Sequence, residues 1–317
     1  MPMHLSPLAD IERVISFSAM HRAWLRVRDN RGAAGGDGIS LKRFERMLEA
    51  NLLELSDQVR DGTYHPSPVR TVTLHGPRKS RRIAILSVRD RVLQRAVLDL
   101  VDDYCDSQFL SCSHAYRPGR SLQDAVERIV DLRNSGRTTV VDADIRDCFG
   151  SLNHALLHHV IEKMLPGLQA TIGNLLSAWI AMTPRPQLGS WPRPARRGIL
   201  QGAPISPLLC NMYLHQMDIR LISKKYPLVR YADDFVIPCT TMDDATRCMK
   251  DVHHILAHIH LELHPTKTRI TTFEQGLDFL GVRFTEDDYS YVVSDKRIVV
   301  RDTPPEWFNY HADQYDA

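Results

Sequence analysis

The sequence predicts an α+β fold in which an antiparallel sheet carries helices on one face. Three observations lead there. Thr138–Ile145 is a β-branched run that reads as a buried strand. Leu228–Pro238 reads as two strands meeting near Asp233 and Asp234, and Asp243–His260 reads as a long amphipathic helix. Strand and helix patterns are mixed along the chain, and the strand pairs have an antiparallel character.

Taken in order, residues 1–36 form an N-terminal helical segment. Gly32-Ala33-Ala34-Gly35-Gly36-Asp37-Gly38 is the stretch expected to be most flexible. Leu41–Arg60 follows with Phe44, Met47, Leu48, Leu52 and Leu55 at helical spacing, until Pro66 and Pro68 break the chain. Val69–Leu74 and Arg82–Leu86 read as a hairpin turning at Gly76-Pro77, with a basic tip. Asp90–Tyr104 is helical. Ser121-Leu122-Gln123-Asp124 resembles a capping box that opens a helix to about Arg133. Asn153 caps a helix over Ala155–Leu165, the proline- and glycine-dense Pro184–Pro207 is loop, and Pro207–Ile222 is a helix with proline in its first turn. Strand patterns return at Phe279–Phe284, Tyr289–Val293 and Arg297–Arg301.

Composition narrows the class. The chain has 317 residues, 43% apolar and 25% charged, enough to bury a sizeable core and unlike a disordered protein. It lacks both a run of about 18 apolar residues and a signal-like N-terminus, so neither a membrane span nor secretion is expected. Cys105, Cys112, Cys148, Cys210, Cys239 and Cys248 are scattered without a C-x-x-C pair, which suggests reduced, buried thiols in a cytoplasmic protein. The net charge of +2 does not announce a nucleic-acid binder, but its distribution is uneven. Arg78, Lys79, Arg81, Arg82, Arg89, Arg91 and Arg95 face a single acid, Asp90, and Arg193, Arg196 and Arg197 form a second cluster. Such patches suit phosphate contacts or a solvated face.

Three carboxylates sit at strand ends. Asp144 ends one apolar strand, and Asp233 and Asp234 lie between two apolar strand halves. If these strands are neighbours, the three acids converge and repel one another unless cations are bound. Two magnesium ions roughly 3.5–4 Å apart are the usual solution in phosphoryl transfer. Taken alone, the Asp233-Asp234 pair reads first as an acidic turn, because consecutive acids in turns are common. Asp142 shares a face with Asp144 and is a rival ligand.

The motifs together resemble those of reverse transcriptases. Tyr231-Ala232-Asp233-Asp234 is similar to their Tyr-x-Asp-Asp box, and Ala143-Asp144-Ile145-Arg146-Asp147-Cys148-Phe149 to their first catalytic motif. Gln201-Gly202-Ala203-Pro204-Ile205-Ser206-Pro207-Leu208-Leu209-Cys210-Asn211 resembles the Gln-Gly…Ser-Pro-Leu-Leu-x-Asn motif. His264-Pro265-Thr266-Lys267-Thr268 and Phe279-Leu280-Gly281 resemble two later palm motifs, the second being the primer grip. Arg81, Ser87–Gln94 and His114–Ser121 are similar to fingers motifs of the bacterial group II intron type, and the whole series runs in the family's order from about residue 37 to 284.

The resemblance implies a right-hand polymerase with fingers over 37–137 (basic hairpin 69–86), a palm over 138–284 with a fingers-like insertion around 155–200, and a short tail over 285–317 with a minimal or absent thumb. It implies that Asp144, Asp233 and Asp234 hold two Mg2+ ions, with Mn2+ as an alternative and the Ile145 carbonyl as a further ligand. Phe149 would select dNTPs by excluding a 2′-hydroxyl, although a phenylalanine there also suits a core. Gln201 and Gly202 would line the nucleotide pocket, Gly202 allowing close backbone approach. Arg81 would grip the triphosphate with Arg78 and Lys79, and Lys267 would protonate pyrophosphate or simply be solvated. Phe279, Leu280 and Gly281 would grip the primer, and Arg89, Arg91, Arg117 and Arg120 would contact nucleic acid.

The chain departs from the family pattern at the fingers tip. His75 stands where a lysine is usual, and Arg82-Ile83-Ala84-Ile85-Leu86 replaces a Pro-Leu-Gly-Ile-Pro segment. The wording of Ala143–Arg146, Tyr213–His215 and Val229–Val236 is most similar to CRISPR-associated reverse transcriptases. That implies an RNA template, a DNA or RNA primer, dNTPs, and a CRISPR integrase complex or a noncoding RNA as partner, without a membrane. Retron-type or other antiphage-defence enzymes, a DNA-templated or untemplated polymerase of the same fold, and a non-catalytic nucleic-acid-binding subunit are the alternatives. A zinc hydrolase is set aside: His254 and His258 are four apart, but no H-E-x-x-H pattern is present.

Overall fold

The computed structural model describes residues 10–75, 80–183 and 196–291, with the side chains of Ser80 and Arg81 outside that description. The elements run α1 (Ile11–Val14), α2 (Phe17–Asp29), α3 (Leu41–Glu45), α4 (Leu48–Arg60), β1 (Arg70–His75), β2 (Ser80–Ile85), α5 (Val88–Asp106), α6 (Leu122–Asn134), β3 (Thr139–Asp144) and α7 (Cys148–Ser151). They continue with α8 (His154–Met164), α9 (Ala170–Ile180), α10 (Ser206–Ser223), β4 (Val229–Tyr231), β5 (Asp234–Cys239), α11 (Met242–His258), β6 (Arg269–Thr272), β7 (Leu277–Phe279), β8 (Val282–Phe284) and β9 (Tyr289–Tyr291).

Two compact units interleave along the chain. Of the described residues, the first contains those from 10 to 108 and from 149 to 212, and the second those from 109 to 148 and from 213 to 291.

In the first unit, helices surround the root of one antiparallel hairpin. β1 pairs with β2 in the register Arg70↔Ile85 to His75↔Ser80. The hairpin tip, with Arg78 and Lys79, and the second basic cluster's Arg193 lie outside the described residues. Val69, Ala84 and Leu86 pack with Leu200 and Ala203. Ser87 accepts from the Asp90 amide at 3.1 Å, so α5 begins before the Asp90 expected from periodicity. The helix expected over Leu41–Arg60 is broken at Met47, whose φ of −124° and ψ of 34° separate α3 from α4.

The Gly32–Gly38 segment is a packed strap rather than the flexible stretch expected. A Cβ on Gly36 would lie 2.1 Å from the Pro68 carbonyl oxygen, and one on Gly35 would lie 2.4 Å from the Ser87 nitrogen and 2.6 Å from the Leu86 oxygen. Arg91 donates to the Ala33 carbonyl at 2.8 Å and Arg70 to that of Ala34 at 3.3 Å. Glycine here permits close backbone approach at both ends of the β1–β2 hairpin.

The second unit holds a four-stranded antiparallel sheet in the order β4-β5-β3-β6, and a three-stranded sheet in the order β7-β8-β9. Val140, Val229 and Val236 share a core with α6 (Leu122, Val126, Ile129) and with Phe279, Val282 and Phe284. The alternating set, Val141, Ala143, Phe235 and Ile237, is buried as well. α6 opens with the expected capping box: Ser121 accepts from the Asp124 amide at 3.2 Å and the Asp124 carboxylate accepts from the Ser121 amide. Asn153 caps α8 by accepting from the Leu156 amide, and Thr241 caps α11 by accepting from the Asp244 amide. The single strand expected over Phe279–Phe284 is instead a hairpin. Leu280 and Gly281 take left-handed φ values of 53° and 74°, which turns β7 back onto β8. β9 ends at Tyr291, and the strand expected at Arg297–Arg301 lies outside the described residues. All six cysteines are buried, as expected.

Candidate active site

Sheet register builds the site. β3 and β5 are both apolar and pair antiparallel, and their last rung places Asp144 directly across from Asp234. β4 and β5 close through the two-residue turn Ala232-Asp233, with Tyr231 opposite Asp234. Asp233 therefore sits on the loop and Asp234 on the first rung. Ala232 adopts φ 57°, a left-handed conformation that costs a residue bearing a Cβ about 1 kcal/mol or more.

Like charges directly opposite in a sheet repel. Burial, reinforced by Asp233 and Asp144, raises the Asp234 carboxyl to about 7, while Lys267 opposes the shift. Lys267 donates to the Asp144 carboxylate. It reaches that position because β6 pairs with β3 through Asp142↔Arg269, and the turn before β6 continues past the end of the rung. The Asp144 carbonyl accepts from the His264 amide at 2.8 Å, and Ile145 bridges to Leu263.

Asp142, the rival ligand on the same face, is engaged elsewhere. Arg269 donates to its carboxylate at 3.1 Å. Burial still raises the Asp142 carboxyl, with Arg269 acting against that shift.

Among the described residues, no three His, Cys, Asp or Glu side chains stand as a ready-made metal ligand set. The donor chemistry nevertheless fits a hard dication. Three carboxylates crowd one rung and turn, one of them is driven towards the neutral form by burial and by the other two, and the Lys267 ammonium compensates in part.

A charged network beneath the turn was not anticipated from sequence. Arg230 and Asp218 are both fully buried and joined by two hydrogen bonds, Nε to Oδ1 at 2.9 Å and Nη2 to Oδ2 at 2.6 Å. Arg230 Nη2 also donates to the Ser113 hydroxyl at 2.8 Å, and Nη1 to the Ala232 carbonyl at 3.0 Å. The available signal was an arginine inside an apolar strand; Asp218 lies in a mixed stretch of α10, Leu214–Leu221, and gives none.

The remaining expected residues divide between the units. In the second, Phe279 is buried, and Leu280 and Gly281 form the β7–β8 turn. Arg117 donates to the carbonyls of Leu110 at 2.7 Å and Ser113 at 2.9 Å and stacks over Phe109, so its guanidinium is committed to its own loop. Arg120 is partly buried at the entry to α6. In the first unit, Arg81 pairs through its backbone with Leu74 on the hairpin. Phe149 is buried, and its carbonyl accepts from Ile199 at 2.8 Å. The Gln201 carbonyl accepts from Ala84 of β2 at 2.8 Å. Gly202 has φ 98°, and a Cβ there would lie 2.6 Å from the Ala84 oxygen. Its lack of a side chain thus serves docking onto the hairpin, beyond the nucleotide approach expected of it. Arg89 bonds Gln58 and lies over the Tyr64 ring, and Arg91 is buried against the Ala33 carbonyl.

The family model described as Reverse transcriptase (RNA-dependent DNA polymerase) matches residues 70–284. The chain belongs to the reverse transcriptase family. This reverse transcriptase is 28% identical over 290 residues to protein YkfC of Escherichia coli, covering 78% of this chain and 75% of YkfC. It is 27% identical over 221 residues to the group II intron-encoded protein LtrA of Lactococcus lactis, covering 68% of this chain but 35% of LtrA. Among solved structures, telomerase from Candida albicans aligns over 86% of this chain and 53% of its own, with a TM-score of 0.55 and 14% identity. A chain of a partial Cas6-RT-Cas1–Cas2 complex aligns over 78% of this chain and 41% of its own, with a TM-score of 0.49 and 22% identity. No described helix of the reverse transcriptase is long and apolar enough to cross a membrane.

Proposed function

We propose that the chain extends a nucleic-acid primer with dNTPs on an RNA template, using two-metal phosphoryl transfer centred on Asp144, Asp233 and Asp234. The observation that carries this reading is the Asp144↔Asp234 rung, which brings the acid of the first motif beside the acids of the Tyr231–Asp234 box. Asp144, Asp233 and Asp234, with the Ile145 carbonyl, would hold the ions. When bound, Mg2+ (or Mn2+) lowers the pKa of the primer 3′-hydroxyl and neutralises charge on the triphosphate.

The chain's own groups do the rest. Lys267, bonded to Asp144, carries the proton that leaves with pyrophosphate. Arg81, with Arg78 and Lys79, holds the triphosphate, Phe149 excludes a 2′-hydroxyl, and Gln201 and Gly202 line the nucleotide. Phe279, Leu280 and Gly281 seat the primer end. Arg89 and Arg120 contact the template–primer backbone, whereas Arg91 and Arg117 act by shaping the loops they bind.

Purified protein is expected to extend a DNA primer on an RNA template with dNTPs and Mg2+, and Asp233→Asn is expected to abolish extension. No extension by the wild type would overturn the reading. Sequencing the products separates RNA-templated from DNA-templated or untemplated synthesis.

The motif wording at Ala143–Arg146, Tyr213–His215 and Val229–Val236 supports a narrower role, copying RNA into DNA for CRISPR spacer acquisition beside an integrase. Integrase genes and a repeat array next to the coding sequence are expected. An adjoining structured noncoding RNA would instead favour a retron or another antiphage-defence system.

A further inference from the structure

We infer that Arg230, gripped by Asp218 and Ser113, is the positioning residue for the carboxylates of the Tyr231–Asp234 turn. The inference rests on the reading of that turn as a metal site.

Three groups converge on one guanidinium through four hydrogen bonds. Asp218 of α10 takes two of its hydrogen bonds at 2.9 and 2.6 Å, Ser113 accepts a third at 2.8 Å, and the Ala232 carbonyl a fourth at 3.0 Å. The Arg230 main chain is pinned too: its amide donates to the Cys112 carbonyl at 2.8 Å, and its own carbonyl accepts from the His114 amide at 3.0 Å. The side chain and backbone of Arg230 thus have little freedom.

The Ala232 oxygen belongs to the peptide plane shared with Asp233. Because that plane is rigid, fixing its oxygen fixes the direction in which Asp233 leaves the turn. It also holds Ala232 in its left-handed conformation, which the sequence does not favour without help. The orientation of Asp233, and the start of the rung at Asp234, therefore depend on Arg230.

Electrostatics does not account for the network. Asp218 neutralises Arg230, so little net charge reaches Asp233 and Asp234. Stability is a poor account as well, since buried ion pairs are often no more stabilising than apolar residues of the same volume. What an apolar pair would not supply is a directed donor to the Ala232 oxygen. A lysine would keep the charge but not the planar fork that spans Asp218, Ser113 and Ala232 together.

The test measures Mn2+ binding by electron paramagnetic resonance on Arg230→Lys and Ser113→Ala, alongside melting temperature and the Mg2+ concentration for half-maximal primer extension. Substitution of a group that orients metal ligands typically weakens metal affinity about 10–100-fold. Arg230→Lys is expected to weaken Mn2+ binding and raise the Mg2+ requirement by about tenfold or more, with KM for dNTP at saturating metal little changed. Ser113→Ala should shift both in the same direction by less, with a melting temperature near wild type. Lowered melting temperatures with unchanged Mn2+ affinity and Mg2+ requirement would overturn the inference. If Arg230→Lys does not fold, an unshifted Ser113→Ala overturns it. Wild-type protein that binds Mn2+ yet extends no primer defeats the polymerase reading alone, whereas wild-type protein that binds no Mn2+ defeats the inference.

Discussion

Asp144 faces Asp234 across one rung of the β3–β5 ladder, whereas Asp142, two residues earlier on the same face, is bonded by Arg269. Two acids that sequence leaves equivalent are thereby assigned different work. Asp144→Asn is expected to lower primer extension at least about 100-fold, since a metal ligand is lost. Asp142→Asn should retain activity within about tenfold of wild type, because its partner is an arginine away from the turn. Steady-state extension rates on the two variants decide the matter, and the reverse order would mean that the rung does not mark the metal site.

Asp234 also predicts a metal-dependent stability. Its carboxyl is raised to about 7, above the ordinary carboxylate range, by burial and by Asp233 and Asp144. The folded state then binds more protons than the unfolded state between about pH 4 and pH 7, so this group lowers stability as pH rises through that window. In chelator above pH 7, Asp234→Asn should be more stable than wild type by on the order of 1–3 kcal/mol, with the advantage shrinking towards pH 4. Mg2+ should raise the melting temperature of wild type more than that of the variant. Denaturant titrations with and without Mg2+ provide the check.

The Gly32–Gly38 strap gives a steric prediction. A methyl on Gly36 meets the Pro68 carbonyl oxygen at 2.1 Å and the carbonyl carbon at 2.7 Å, both backbone atoms that cannot rotate away. Gly36→Ala should cost about 1–3 kcal/mol, as overpacking does. Gly173, closing the first turn of α9, has nothing within 4 Å of its added Cβ and no left-handed φ. Gly173→Ala should therefore stabilise by about 0.5–1 kcal/mol through helix propensity. Opposite shifts in melting temperature are expected, and a neutral Gly36→Ala would mean that the strap is loosely held.

His114 supplies a pH dependence of the opposite sign. It is buried, both ring nitrogens lack a hydrogen-bond partner, and burial together with Arg120, Arg117 and Arg230 lowers its pKa to about 4. The unfolded chain then binds the extra proton first, so stability is lost as pH falls below about 6.5. Between pH 7 and pH 5 the loss attributable to this residue is about 2 kcal/mol, and it should vanish in His114→Gln. Urea midpoints of the two proteins at both pH values test this, and identical pH profiles would exclude the assignment.

The sequence by itself determined most of the elements and the family. Apolar runs ending in acids named Asp144, Asp233 and Asp234, and side-chain caps at Ser121 and Asn153 set where two helices begin, because a cap acts over three or four neighbouring residues. The motif order was enough to indicate the family. Only the tertiary structure decided which acid opposes which, since strand register depends on pairing between segments about 90 residues apart in the chain. The tertiary structure also committed Arg91 and Arg117 to main-chain carbonyls within their own units, where charge pattern alone suggested phosphate contacts. Glycine-rich sequence reads the same whether it is free to move or pressed against a backbone, so the strap at Gly35 and Gly36 was visible only once Pro68 and Leu86 were beside it. The network beneath the Tyr231–Asp234 turn was hidden for the same reason. Arg230, Asp218 and Ser113 are remote in sequence, and a buried ion pair leaves no periodic trace until folding brings its partners together.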